Sequence, residues 1–300
     1  MHAIRIVVLT GLIWGALASP HGARAAPPPS PAVAVAPQYD TTHVYVAAAD
    51  LDTFVASLLA TFGGTATPPA TFTVTPTPSL TAWRAVLTPV GGLSVFAFKT
   101  PVPYPFGAER TGYLVTDMDA AVGAARAAGA DVTVAPFPDP IGRDAVVQWP
   151  GGVNMQLYWH AKAPSAAPLA TVPENRVYVS ADRADAFVHA FVAFSHGGVT
   201  ADDAAAPGVE IGEPGATYRR IRITSAFGKM VVLVTDGHLP WPYGRELTGY
   251  EVASVPATLA KAAAAGAAAL VAPYMSDQRQ AAMLQFPGGY VAEIHAALAP

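Results

Sequence analysis

Near its C-terminus the chain reads Val291-Ala-Glu-Ile-His295, and in an extended strand side chains two residues apart share a face. Glu293 and His295 therefore point the same way, a carboxylate beside an imidazole, which is a pairing suited to general acid–base chemistry. Arg176 and Tyr178 alternate likewise in Arg176-Val-Tyr-Val179, as do His43 and Tyr45 in His43-Val-Tyr-Val46 and Gln156 and Tyr158 in Asn154–His160. A guanidinium such as that of Arg176 suits an anionic substrate group. Glu251 offers a second carboxylate at a matching place on another strand. Buried charges need partners, so Arg176, Glu293 and His295 in one concavity admit two readings. Either Glu293 or Glu251 is a general base and Arg176 holds the substrate, or Arg176 and Glu293 merely neutralise each other. Other chemistries lack their signatures. Ser195-His196 has no Gly-x-Ser-x-Gly around it, and no helix start or lysine follows the glycine pairs as a phosphate loop requires.

The elements that must position these residues are repeated. Arg110-Thr-Gly-Tyr-Leu-Val115 returns 137 residues later as Leu247-Thr-Gly-Tyr-Glu-Val252, and Gln148-Trp-Pro-Gly-Gly152 returns as Gln285-Phe-Pro-Gly-Gly289. Gly129-Ala130 and Val134-Ala-Pro136 recur at the same offset, while the His43 strand recurs at Arg176, 133 residues on. Internal repetition fixes architecture before any local assignment. Within each copy the pattern divides again. A strand at His43–Val46 is followed by a helix over 50–62 with Asp50 or Asp52 near its cap and Gly63-Gly64 at its end, then alternating strands at 71–75, 83–88 and 94–99. The next module runs through strand 112–116, helix 119–128 and strands 132–135, 145–148 and 154–160; two more occupy 175–234 and 249–295. The fold class predicted is α+β, four tandem β-α-β-β-β modules forming two domains, 40–163 and 174–298, joined by a linker at 164–173.

Composition bounds the setting. Arg5, the apolar run Ile6–Ala18 and Ala23-Arg-Ala25 form a signal-peptide pattern over 1–25, with cleavage expected after Ala25. A Pro-rich stretch at 26–39 reads as an extended linker. The expected location is periplasmic or secreted, with no membrane attachment after cleavage. There is no cysteine, so neither a disulfide nor a lipid-bearing cysteine is available. A net charge of -4 with 13% charged residues offers no basic surface for nucleic acid. The expected partner is a small molecule.

The paired modules, the first strand opening at His43-Val, the Asp50-Leu-Asp52 helix start, Gly129-Ala130 before a strand, and last strands entered through Pro150-Gly-Gly and Pro287-Gly-Gly together resemble the vicinal oxygen chelate superfamily. Glyoxalase I, bleomycin-resistance proteins and extradiol dioxygenases belong to it. The resemblance spans roughly 40–298 and implies two half-barrel domains, each wrapping a cup. It also implies where metal ligands would stand: at the first-strand positions His43, Arg110, Arg176 and Leu247, and at the last-strand positions Gln156 and Glu293. The set is incomplete, since an open catalytic site ordinarily has three protein ligands. A divalent metal would need modules one and four to pair, so that His43 and Glu293 face each other; otherwise His43 is a hydrogen-bonded histidine at a cup floor. Strand alternation then lines one cup with Arg176, Tyr178, Glu293, His295 and Glu251, and the other with His43, Gln156, Tyr158 and, by register, Arg110. The aromatic joining loops, with Tyr104, Phe106, Trp241 and Tyr243, are expected to pack across the module seam. The function implied is that of an exported glyoxalase-like protein, of lyase or isomerase type, acting on a small oxygenated metabolite. The alternative is a non-catalytic protein that sequesters a small molecule.

Overall fold

A computed structural model describes residues 32–162, 169 and 171–298. The signal-peptide pattern at 1–25 and most of the joining segment at 164–173 lie outside these residues. Module one comprises β1 (Thr42–Tyr45), α1 (Leu51–Phe62), β2 (Thr65–Ala66), β3 (Ala70–Phe72), β4 (Thr81–Thr88) and β5 (Gly91–Phe98). Module two comprises β6 (Gly112–Leu114), α2 (Met118–Ala127), β7 (Asp131–Pro138), β8 (Gly142–Gln148) and β9 (Asn154–His160). Module three has β10 (Glu174–Ser180), α3 (Ala184–Ser195), β11 (Gly198–Pro207), a 3-10 turn at Gly208–Ile211, β12 (Thr217–Ser225) and β13 (Gly228–Thr235). Module four has β14 (Leu247–Glu251), α4 (Val255–Ala264), β15 (Ala268–Ser276), β16 (Arg279–Gln285) and β17 (Val291–Ala297). Tyr113 and Tyr250 fall on the equivalent strands β6 and β14, as the duplication requires. Helix starts follow local chemistry: Asp117 accepts from the Ala120 amide, and Ser254 accepts from Ala257 with Pro256 in the first turn.

Modules three and four share one eight-stranded sheet, in the order β11-β12-β13-β10-β14-β17-β16-β15. Its centre is the antiparallel ladder pairing Glu174, Asn175 and Arg176 with Gly249, Thr248 and Leu247. In the first half the same junction shrinks to a single bridge, Thr42 to Thr111, between sheets β1-β5-β4-β2 and β6-β9-β8-β7. Residues 33–38, expected as open linker, are docked against β6: Ala34 bridges Val115, and the Gln38 side chain bonds both backbone groups of Leu114.

The helices cross-connect what the sheets keep apart. Phe187, Phe191 and Phe194 of α3 bury against Tyr113, Trp149, Met155 and Leu157 of module two. Phe54, Val55 and Leu58 of α1 bury against Tyr250, Leu284, Phe286 and Ile294 of module four. Each such side chain removed from water contributes roughly 1.5–3 kcal/mol. Modules one and four thus meet through their helix faces, on the opposite side of the sheets from the cups. That overturns the arrangement in which His43 and Glu293 would face each other; they lie in different cups.

Candidate functional site

Val177 and Val179 of β10 and Ala292, Ile294 and Ala296 of β17 fill the helix-side cores, so Arg176, Tyr178, Glu293 and His295 project from the other face. Between β10 and β17 stands Gly249 of β14. A Cβ there would lie 2.7 Å from Glu293 Oε2 and 3.1 Å from Arg176 Cδ, so the missing side chain is what lets the two charges meet. Arg176 Nη1 lies 3.7 Å from Glu293 Oε1 and 3.4 Å from Glu174 Oε2, and His295 Nδ1 lies 2.8 Å from Glu293 Oε2. All four residues are buried. Burial works against the charge on Arg176, but Glu293 and Glu174 outweigh it and push its pKa up. Burial likewise opposes the charge of Glu174, yet Arg176, His295 and Arg279 hold its carboxyl down at about 2.

Further out, this sheet curls until its edges meet through side chains. Glu210, carried inward on the 3-10 turn, accepts hydrogen bonds from Tyr218, Arg220 and Ser276, and Arg220 also pairs with Asp277. The result is a roofed, charge-balanced chamber. Within it five buried polar atoms have no partner: Arg176 Nε, Tyr178 Oη, Arg220 Nε, Tyr274 Oη and His295 Nε2. Buried polar groups are ordinarily hydrogen-bonded, so unsatisfied atoms in one chamber mark places for ligand or water. The Glu293–His295 pair is a carboxylate orienting an imidazole whose other nitrogen is free, the arrangement of a general base.

In the first cup the His43 ring lies across Gly112, where a Cβ would collide with it, and packs edge-on against Phe96 at 5.2 Å. Its Nδ1 is buried without a partner, in place of the hydrogen-bonded floor position expected. Burial, with Arg110 nearby, pushes the imidazole down to about 3, so His43 is neutral at physiological pH. Gln156 bonds the buried Asp144, whose carboxyl is raised well above its usual range by burial and by Asp139. Tyr158 Oη donates to the Asp40 carbonyl at 2.6 Å, while Asp40 Oδ2 accepts from Ser94 at 2.5 Å. Phe106 packs with Phe137 and Val146 as a wall of this cup, and Tyr243 packs with Leu247, Met283 and Val291 in the other. Their companions Tyr104 and Trp241 are 84% and 57% exposed, so the joining loops alternate between cup and solvent and do not pack along a seam.

The structure thus brings together Arg176, Glu293 and His295, and separately His43, Gln156 and Tyr158. Two expected residues stand elsewhere. Glu251 shares the cup face of β14, but it is the last residue of that strand; its exposed carboxylate pairs with Lys229 at 3.2 Å and does not enter the chamber. Arg110 does stand opposite His43, as Leu247 stands opposite Arg176, but its guanidinium turns over the Tyr45 ring, toward the second half. Missed altogether were Glu210 and Tyr274, which have no counterpart in the repeated motifs, and the pair Glu109, buried, and Glu246, half-buried. Extending the repeat one residue upstream of Arg110 and Leu247 finds that pair.

No family model and no curated protein matches the chain. Solved structures do. A mutant of 4-hydroxymandelate synthase from Streptomyces coelicolor is 14% identical with a TM-score of 0.57, over 88% of this chain and 94% of that one. A 2,2',3-trihydroxybiphenyl 1,2-dioxygenase from Sphingomonas wittichii RW1 is 12% identical at 0.54, over 88% and 91%. The Mn(II)-bound glyoxalase from Novosphingobium aromaticivorans is 13% identical at 0.51, over 89% and 84%. The chain shares the fold of these proteins, as the resemblance to the vicinal oxygen chelate superfamily implies. At such identities the likeness speaks for the architecture alone. The positions at which the resemblance implies metal ligands carry His43, Arg110 and Gln156 in one half and Arg176, Leu247 and Glu293 in the other. A guanidinium cannot ligate a cation, and Glu293 is already engaged by Arg176 and His295. Among the described residues no group of three or more His, Asp or Glu is placed to hold a metal. The donor sets do not fit a metal centre, and no step is derived through one.

Proposed function

We propose that the second cup binds a small oxygenated anion and moves a proton on it, as a lyase or isomerase does, without a metal-dependent step. His295 Nε2 is the base, Glu293 orients its imidazole by accepting from Nδ1, and Arg176 Nε anchors the anion. The observation that carries this reading is the buried, unpartnered Nε2 of His295 behind a 2.8 Å contact to Glu293. The solved structures of this fold support a small oxygenated substrate, since their names include a glyoxalase and a trihydroxybiphenyl dioxygenase. The proposed setting is outside the cytoplasm, on the strength of Arg5, Ile6–Ala18 and Ala23-Arg-Ala25; N-terminal sequencing of the exported protein should then begin at Ala26. Recovery of the full-length chain in the cytoplasm alone would remove the export claim.

The test is exchange of carbon-bound hydrogen. Small 2-oxo and 2-hydroxy acids incubated with the protein in D2O should gain deuterium next to the oxygenated carbon. His295→Gln should abolish the exchange, and Arg176→Met should weaken binding of the acid. A second reading, sequestration without chemistry, is favoured by the ion pairs that lock Glu293 in place. Binding without exchange in the wild type would establish it in place of catalysis.

A further inference from the structure

Between the two halves lies a cavity of about 60 Å³, bordered by Tyr45 and Arg110 from the first half and by Arg245, Glu246, Thr248 and Tyr290 from the second. Leu247 and Val291, which also wall the second cup, border it, but Arg176, Glu293 and His295 do not. Two guanidiniums reach it, and among the described residues neither Arg110 nor Arg245 has a carboxylate within ion-pair distance. Each is instead laid on an aromatic ring, Arg110 over Tyr45 at 5.5 Å and Arg245 over Trp241 at 4.3 Å. Arg110 is further fixed by donating from Nη1 to the Gly107 carbonyl at 2.6 Å and the Glu109 carbonyl at 3.1 Å.

The nearby carboxyls do not serve as counter-ions. Glu109 and Glu246 occupy matching positions of the two copies, in Pro105-Phe-Gly-Ala-Glu109 and Pro242-Tyr-Gly-Arg-Glu246. Glu109 accepts from Tyr45 and keeps its other oxygen buried without a partner; Glu246 accepts from Thr111 at 2.8 Å. Burial pushes both carboxyls up to about 7, so on the acid side of neutrality they exist largely as acids beside two cations. The groups facing Glu246 are Arg110, Arg245, Glu109 and Tyr113, with Thr111 and Asn175 bonding it. Two fixed cations with neutral carboxyls around an empty volume leave an unmet positive charge.

We propose that this seam cavity binds a small carboxylate anion between Arg110 and Arg245. Its volume is that of roughly two waters, which suits a formate- or acetate-sized group. A planar carboxylate matches the donor geometry of a guanidinium, and the stacked rings hold those donors in place. Once Glu246 ionises it competes for the same cations, so the site loads on the acid side of neutrality and empties above it.

Sodium acetate is the probe, titrated calorimetrically into the mature chain at pH 6 and pH 8.5. Binding should be present at pH 6 and weaker by about tenfold or more at pH 8.5. Glu246→Gln should keep acetate bound at the higher pH. Arg110→Leu, which installs the residue found at the matching position 247, should abolish binding. Arg245→Ala, on an exposed side chain that leaves folding intact, should weaken it several-fold and keeps the test decisive if Arg110→Leu folds poorly. Arg176→Met should leave acetate binding unchanged. Absence of binding at pH 6, indifference to Arg245→Ala, or loss of binding in Arg176→Met would each overturn the assignment, the last by moving the anion to the second cup.

Discussion

At the scale of the residue, Glu293 holds two positions at once: it partners Arg176 and it orients His295. Glu293→Gln separates the roles. If the carboxylate serves the ligand, exchange or binding should be lost while the melting temperature stays near wild type. If its task is to neutralise Arg176, the variant strands a buried guanidinium and costs ~3 kcal/mol or more in urea titration, with ligand binding unchanged. Glu174, 3.4 Å from Arg176, makes the first outcome the expected one, because a partner for that charge remains. A second prediction concerns pH. Burial pushes the Glu109 carboxyl up to about 7 in the folded chain, from 4.5 for a solvated glutamate, so the native protein holds its proton more tightly than the unfolded chain does. Stability must therefore fall as pH rises from 4.5 to 7, by roughly 3 kcal/mol from this group. Asp40, raised to about 6, and Glu246, raised to about 7, add in the same direction; His43, lowered to about 3 by burial, opposes them only below about 6.5, and Glu174 at about 2 loses its contribution only below 4.5 and stays outside the window. The urea midpoint should thus be higher at pH 5 than at pH 8, and Glu109→Gln should flatten the slope; a midpoint that rises over this range contradicts the assignment. Arg176, Glu293 and His295 were legible because period-two alternation is enforced by the pleat. Glu251 was not, because alternation gives a face and says nothing of where a strand ends.

At the scale of the element, the repeat carried the fold. The helices expected over 50–62 and 119–128 appear within a residue of those bounds, and β9 matches residue for residue. The first half is less regular for readable reasons. Pro68-Pro69 interrupts what would be one edge strand, leaving β2 and β3 as separate pieces on β4. The 3-10 turn at Gly208–Ile211 was not legible, since its single polar contribution, Glu210, finds partners on β12 and at the end of β15, far along the chain. That turn makes the two cups different. One is roofed by a carboxylate held in three hydrogen bonds; the other keeps Asp144, Gln156 and a neutral His43 beside aromatic walls. Duplication supplied two equivalent concavities, and substitution at the strand-opening position, histidine in one copy and arginine in the other, set their chemistry apart.

At the scale of the whole molecule, sequence similarity divides the chain at 164–173, but the hydrophobic cores do not. No strand of one half pairs with a strand of the other, yet α3 buries its phenylalanines against module two and α1 buries Phe54 against module four. An isolated half therefore exposes both helix faces at once. Residues 174–298 expressed alone would present Phe187, Phe191, Tyr250, Phe286 and Ile294 to water, several side chains each worth roughly 1.5–3 kcal/mol of lost burial. Ordinary domains have only 5–15 kcal/mol in reserve, so the half should fail to persist as a folded monomer. The expected outcome is aggregation, or association in which two copies of the half cover each other's helix faces as the duplicated plan permits. Size-exclusion chromatography with light scattering on the purified fragment decides this. A monodisperse, cooperatively melting monomer would mean that the sheets, and not the crossed helix cores, hold the molecule together.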